Sequence, residues 1–219
     1  MSHESRKNVH GLAKVASICL AIGLASALFT TIFYIRHGVP TPPPASFSSL
    51  GTPPKDLVAL LKQNGIDIGP AVIEFSDFEC PFCRQQETTY RGLPAKIGHS
   101  LQICTFNFPL QMHPFARRAA LASIAAHNLG IGKLFDAFLF TSTNLSKQAM
   151  IERANLLGVG KHRFETEMSS PQVKAQLKAQ IDVAHRLGVE ATPSFFLLSQ
   201  SGKLFRMQNL KDVPFAYYR

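Results

Sequence analysis

The sequence predicts an α/β domain with an inserted helical block, preceded by a single transmembrane helix. Three observations predict this organisation. An uncharged, mostly apolar run fills residues 15–35 near the N-terminus. A short apolar segment with strand character leads into a Cys-x-x-Cys pair formed by Cys80 and Cys83. A helical pattern over about residues 112–187 then separates the strand-like segments that come before it from those that follow.

Composition limits the kinds of protein that the chain can be. With 219 residues, of which 46% are hydrophobic, it has room for one ordinary core and an appendage. Only two of its four cysteines form a motif, which excludes a small disulfide-stapled protein. The net charge of +9 would be compatible with a nucleic-acid-binding protein, but the basic residues are scattered and no nucleic-acid-binding motif occurs. We therefore expect no nucleic acid, and we interpret the charge as suited to an anionic membrane or to acidic clients.

The N-terminal segment has the pattern of a membrane anchor. Residues 1–14 are polar and mostly basic, and residues 15–35 have about the length that crosses a bilayer as a helix. The positive side of an anchor stays inside, so we expect a single-pass cell (inner) membrane protein with its domain on the periplasmic side. Ala25-Ser26-Ala27 resembles a signal-peptidase site, which leaves a cleaved signal peptide as the alternative. We favour the uncleaved anchor because the apolar run continues well past that point.

Residues 36–54 contain six prolines together with Ser and Gly, and they predict a stiff, extended linker to a domain at residues 55–219. Lys55 to Gln63 predicts a short amphipathic helix, which Asn64-Gly65 ends. The sequence leaves open whether this helix packs on the domain or lies between protomers.

The Cys pair follows Ala71-Val72-Ile73, which has the features of a buried strand. Pro81 suits the first position of a helix, so Cys80 is predicted at or just before a helix N-terminus. Backbone N–H groups and the helix macrodipole favour a thiolate there. Cys83 lies within disulfide reach, and the pattern indicates a reactive, exchangeable thiol pair.

A structural disulfide and half of a zinc site are the alternative interpretations of the Cys pair. A structural disulfide usually closes a longer loop, and structural zinc takes four N or S ligands. Cys19 and Cys104 are isolated and no His-x3-5-His pair exists, so we expect no metal and no cofactor. Cys104 falls in a predicted strand and is interpreted as a small buried hydrophobe, with a third redox thiol as the alternative.

Glu74 lies in the predicted strand, six residues before Cys80. Its apolar neighbours suggest burial, which is expected to raise the pKa of a carboxyl group. Placed behind Cys83, it would carry the proton that this thiol loses when it attacks a mixed disulfide. The alternative is a Glu that points out of the other face of an edge strand.

The segment Glu74-Phe75-Ser76-Asp77-Phe78-Glu79-Cys80-Pro81-Phe82-Cys83 resembles the active-site signature of DsbA-like thiol-disulfide oxidoreductases of the thioredoxin superfamily. That family has an acidic residue six positions before the first cysteine, and a cis-proline loop that Ala191 to Leu197 matches. The resemblance covers residues 69–205 and implies a thioredoxin-like fold with an inserted helical subdomain. It implies catalytic roles for Cys80, Cys83 and Glu74, and substrate binding by Pro81, Phe82, Thr192 and Pro193.

The remaining elements are predicted from local patterns. A strand at residues 101–108 precedes the helical block, and strands at 194–198 and 203–207 form a hairpin after it. His113-Pro114 opens the block, and His113 is interpreted either as an ordinary helix start or as a group near the thiols. The predicted helices are 84–97, with a kink, then 116–129, 133–140, 147–157, 161–168 and 172–187. Members of this family end in a helix that covers the sheet, but residues 208–219 are few and include Pro214, so we expect that helix to be curtailed or absent.

The resemblance implies exchange of disulfides with thiol- or disulfide-containing protein clients, and a membrane redox partner. We expect an oxidase, that is, a disulfide donor. An isomerase or reductase is the alternative. Pro81-Phe82 lacks the His that strongly oxidising members carry between the cysteines, and a Thr before the cis-proline, as at Thr192, resembles the disulfide isomerases and some oxidases. Two further alternatives belong to another functional class. One is a non-catalytic membrane-anchored binding module, and the other is a metal-handling thiol protein with Met112 and His113 as its nearby candidate ligands.

Overall fold

The computed structural model describes residues 26, 28, 32, 47–66, 70–87 and 102–208. The chain divides into two compact units, one of residues 1–42 with Arg219 and one of residues 43–218. In the first unit the three described residues are helical, and the rest of the predicted membrane span lies outside the described residues. Within the described part of the chain, no helix has the length and apolar character needed to cross a bilayer.

The second unit is built on one mixed five-stranded sheet with strand order β1-β5-β4-β2-β3. Strands β2 and β3 are parallel, and the other neighbouring pairs are antiparallel. All six residues of β2 are buried, because this central strand is covered on both faces. The strands are β1 (Phe47–Gly51), β2 (Ala71–Ser76), β3 (Gln102–Asn107), β4 (Ser194–Leu198) and β5 (Leu204–Met207).

Helices α3 to α7 follow one another between β3 and β4 and form the inserted block that the sequence predicts. Each of their predicted ends lies within one residue of the observed end. The helices are α1 (Lys55–Gln63), α2 (described over residues 81–87), α3 (Ala116–Asn128), α4 (Gly132–Thr141), α5 (Lys147–Leu156), α6 (Lys161–Ser169) and α7 (Pro171–Arg186). The predicted continuation of α2 to residue 97, with its kink, lies outside the described residues.

Local sequence signals set several of these ends. The hydroxyls of Ser146 and Ser170 accept backbone N–H groups at the starts of α5 and α7, which pairs donors that have no partner inside the helix. Gly158 and Gly188 follow α5 and α7 with φ values of 90° and 68°, a conformation that glycine adopts without steric conflict. These residues fix where α5 and α7 begin and end.

Two apolar clusters meet at the thiols. One lies between the sheet and the helices α1 and α7, and in it Phe75 stacks at 5.7 Å from Phe106 and edge-on at 5.8 Å from Phe196. The other fills the helical block and contains both Cys80 and Cys83. The thiol pair therefore lies where the block joins the sheet.

Helix α1 belongs to the domain, which answers the question that the sequence left open. Leu57, Leu60 and Leu61 are buried in the sheet cluster. Asp56 pairs with the Nε of Arg186 at 2.9 Å, which links α1 to the end of α7.

The prediction of a linker over residues 36–54 is wrong for part of that range. Residues 47–51, inside the segment 36–54, form strand β1, which pairs with β5 at the edge of the sheet. Four of its five residues are exposed, so the strand lacks the alternating apolar pattern that reveals strands in a sequence. Main-chain hydrogen bonds to β5 hold it in place. The predicted short C-terminal segment lies outside the described residues from position 209 onward.

Candidate active site

The turn between β2 and α2 places the two cysteines. The Cys80 backbone N–H donates to the Asp77 carbonyl at 3.1 Å, which closes the turn. The Cys80 carbonyl accepts the N–H of Arg84 at 3.1 Å and thereby begins α2, with Pro81 as its first residue. The predicted position of Cys80 just before a helix N-terminus is confirmed.

The Cys80 thiol contacts a loop that is far away in sequence. Its Sγ donates to the carbonyl oxygen of Thr192 at 3.2 Å. The Thr192–Pro193 peptide bond is cis, as predicted. Cys80 is only 3% exposed, but its neighbours Pro81 and Phe82 lie on the surface, with Phe82 66% exposed. Of the four residues predicted to bind substrate, Thr192 contacts this sulfur, Pro81 and Phe82 follow Cys80 in the chain, and Pro193 follows Thr192.

Cys83 is more deeply buried, at 1% exposure. The pKa of its thiol is raised from 9.0 to about 12, chiefly by burial and to a smaller extent by the neighbouring Cys80 and Glu74. The Ser76 hydroxyl and the Asp77 backbone N–H, which lies 3.5 Å from Sγ, act in the opposite direction. The thiol form of Cys83 is therefore strongly favoured at neutral pH.

Glu74 lies in the central strand β2, at a position that pairs with Thr105 on β3 and Phe195 on β4. Its side chain is 2% exposed, so the alternative of an outward-pointing Glu on an edge strand is wrong. Its charge acts on the Cys83 thiol. The proton-carrying role of Glu74 stays a prediction.

Asp77 is a residue of the site to which the sequence analysis gave no role. Its Oδ1 accepts the N–H of Glu79, and its Oδ2 accepts the N–H of Leu110 and contacts Nδ1 of His113, each at 2.8 Å. The bond to Glu79 is an Asx turn, which an Asp after a strand can signal. The contacts to the loop before α3 carry no local signal. His113 therefore contacts a residue that touches Cys83.

Cys104 lies apart from the thiol pair. It occupies β3 opposite Ile73, belongs to the sheet cluster, and has a thiol whose pKa burial raises to about 12. The interpretation of Cys104 as a small buried hydrophobe is confirmed. Across the described ranges, no three His, Cys, Asp or Glu residues are grouped closely enough to hold a metal ion.

We expect the two buried thiols to make the reduced protein less stable above pH 9. The unfolded chain releases their protons near pH 9, whereas the folded chain keeps them to about pH 12, so the free energy of unfolding falls across that interval. Cys104→Ala should make the fall of the free energy of unfolding with pH less steep by up to about 1.4 kcal/mol per pH unit. Urea unfolding between pH 8 and 10.5 measures it.

The matched control is Ile73→Val, which removes a methylene from the register partner of Cys104 and no ionisable group. It should lower the free energy of unfolding by about 1 kcal/mol at every pH. A slope that is the same in Cys104→Ala and in the unsubstituted protein would contradict the pKa of Cys104.

Comparison with solved structures agrees with this architecture. The DsbA of Xylella fastidiosa superposes with a TM-score of 0.59 at 17% identity, covering 76% of this chain and 88% of that one. The DsbA of Klebsiella pneumoniae gives 0.57 at 18% identity, covering 82% and 92%. A thioredoxin-like oxidoreductase from Silicibacter pomeroyi gives 0.54 at 23% identity, covering 70% and 80%. At these identities the likeness shows a thioredoxin-like fold.

Sequence comparison finds relatives in which a similar segment is part of a longer protein. The Na(+)/H(+) antiporter NhaA of Herminiimonas arsenicoxydans is 32% identical over 127 residues, 58% of this chain and 20% of the antiporter. NhaA 3 of Salinispora tropica is 30% identical over 128 residues, with the same coverage. The chain thus spans about a fifth of the length of these relatives. The family Thioredoxin_4, described as thioredoxin, matches residues 69–202, and the chain belongs to this thioredoxin family.

Proposed function

We propose that this protein is a thiol-disulfide oxidoreductase that exchanges disulfides with protein clients through Cys80 and Cys83. The observation that carries the proposal is the contact of the Cys80 sulfur with the Thr192 carbonyl, at 3.2 Å, beside a helix N-terminus. The solved structures of similar fold are named as oxidoreductases, which supports it.

The two thiols have different roles in this proposal. Cys80, next to exposed Pro81 and Phe82, meets the client, and the deeply buried Cys83 resolves. In the reducing direction, the Cys80 thiolate attacks a client disulfide, forms a mixed disulfide and releases one client thiolate. The Cys83 thiolate then attacks the Cys80 sulfur, which forms the Cys80–Cys83 disulfide and releases the second client thiolate. Oxidation of a client dithiol is the same sequence in reverse.

Thr192 offers main-chain and side-chain groups to a bound client. Its residue is 8% exposed, and its hydroxyl has no hydrogen-bond partner among the residues that the structure describes. A buried hydroxyl without a partner is unfavourable, so a peptide that pairs with it gains binding free energy. We propose that an extended client segment lies along Thr192 and Pro193 by strand addition and contacts Phe82.

We expect Cys80→Ser to abolish exchange, because the attacking sulfur is lost, and Cys83→Ser to accumulate a mixed disulfide at Cys80. Insulin reduction and mass spectrometry of trapped adducts measure the two effects. Cys104→Ser is the control and should retain activity, since Cys104 belongs to the other cluster. Full exchange activity in Cys80→Ser would contradict the proposed exchange through Cys80.

Glu74 is proposed to accept the proton of Cys83 during resolution. Glu74→Gln should slow resolution of the mixed disulfide at least about tenfold at pH 7, since proton transfer through a positioned group is lost. Loss of the negative charge alone would lower the pKa of Cys83 and accelerate the step. Stopped-flow measurement therefore separates the two effects by their sign. Glu152→Gln on the exposed side of α5 is the control, and a faster Glu74→Gln variant would contradict the role.

We propose that the protein acts as an oxidase, with isomerase or reductase as the second candidate. The buried resolving thiol favours neither direction by itself. The reduction potential of the Cys80–Cys83 pair, measured on the full chain by equilibration with glutathione, decides between them. We expect a value near or above about −180 mV, in the range of disulfide donors. A value near about −270 mV, the range of thioredoxin, would instead identify a reductase.

We further propose that residues 15–35 anchor the domain on the periplasmic side of the membrane, where a membrane redox partner regenerates it. The support is the apolar run with its basic N-terminal flank. Because the chain matches about a fifth of the antiporters, we propose no ion transport for it. Failure of Cys80 and Cys83 to equilibrate with glutathione would instead favour a non-catalytic binding module.

A further inference from the structure

Asp77 connects Cys83 to the loop before α3. Its backbone N–H donates to the Cys83 sulfur, at 3.5 Å. Its side chain is fully buried and is held at both oxygens, by the N–H of Glu79 on one and by Leu110 and His113 on the other. The peptide unit that points at the sulfur is thus fixed by contacts made through the side chain of the same residue.

His113 supplies the one side-chain contact in this set. An ionised carboxylate can only accept hydrogen bonds, so Nδ1 of His113 is the donor to Asp77. The ring is 20% exposed, and it holds Asp77 from the side of the inserted block. Neighbouring Phe115 adds a second link between the same two loops, because its N–H donates to the carboxylate of Glu79.

We propose that Asp77 and His113 are a positioning pair that holds the Asp77 backbone N–H on the sulfur of Cys83. The inference rests on the exchange activity proposed above and names two residues that set the rate of its second step. Neither residue touches the client. Each acts through the hydrogen bond to the resolving sulfur.

The physical reason lies in the environment of Cys83. Burial opposes formation of its thiolate, and the Asp77 N–H, 3.5 Å from the sulfur, offsets part of that effect. A hydrogen bond to a charged acceptor is stronger than one to a neutral acceptor, so this N–H stabilises the thiolate that attacks. If the Asp77 N–H moves away from the Cys83 sulfur, a smaller fraction of Cys83 is thiolate, and resolution of the mixed disulfide is slower.

Reaction with oxidised glutathione separates the two steps. The Cys80 thiolate attacks glutathione disulfide, forms Cys80–glutathione and releases one glutathione thiolate. The Cys83 thiolate then attacks the Cys80 sulfur, the internal disulfide forms, and the second glutathione leaves as a thiolate that takes up a proton. The rate of the first step is proportional to the glutathione disulfide concentration. At high glutathione disulfide concentration the observed rate of Cys80–Cys83 disulfide formation reaches a plateau, and that plateau equals the rate constant of resolution by Cys83.

We expect His113→Leu to lower the plateau about tenfold, which corresponds to one unit of pKa at Cys83, and to leave the initial slope unchanged. His113→Asn places an N–H donor near the position of Nδ1 and should restore most of the plateau. Asp77→Asn should lower it as well, because an amide cannot accept all three donors. Loss of charge alone would instead raise the plateau.

His127→Leu is the matched control. His127 forms the same kind of pair with Asp136, at 2.6 Å on α3 and α4, without a contact to the thiols among the described hydrogen bonds. Its substitution should change neither rate. An unchanged plateau in His113→Leu, an equal loss in His127→Leu, or a faster Asp77→Asn would overturn the inference. An unsubstituted protein that forms no disulfide with glutathione would overturn the proposed function itself, and the inference with it.

Discussion

The antiparallel pairing of β2 with β4 is the constraint on which the thiol site depends. Phe75 lies opposite Ser194 in this pairing, so the turn that follows β2 meets the loop that precedes β4. That meeting brings the Cys80 sulfur to the Thr192 carbonyl across 112 residues of chain. A slip by one residue would turn the side chains of β2 to the opposite faces and separate these groups.

Burial decides the chemical difference between the two cysteines. Both belong to the apolar cluster of the helical block, but Cys80 lies at the start of α2 next to the exposed Pro81, whereas Cys83 lies inside the helix and is the more buried of the two. The apolar surroundings make the Cys83 thiolate costly, and the hydrogen bond from the Asp77 N–H together with the nearby Ser76 hydroxyl offsets part of that cost. The Cys83 thiol is therefore kept protonated at neutral pH, and formation of its thiolate depends on these neighbouring groups.

The inserted block does more than enlarge the domain. Its apolar side chains form one cluster with the two thiols, and in that cluster the ring of Phe140 lies 4.6 Å from that of Phe78. The loop that leads into it anchors Asp77 through Leu110 and His113. The site is thus assembled from the sheet, the thiol-bearing turn and the insertion, and each supplies groups that the others lack.

The sequence by itself determined the elements whose signals are local. The Cys-x-x-Cys pair, Pro81 at a helix start, the serine and glycine caps and the β4–β5 hairpin could all be predicted, because each depends on neighbours within a few residues. Strand β1 could not, because an exposed edge strand is held by main-chain bonds to a distant partner. Only the tertiary structure decided that Glu74 lies in a central strand and that Asp77 meets His113, since burial and long-range hydrogen bonds depend on which segments the fold brings together.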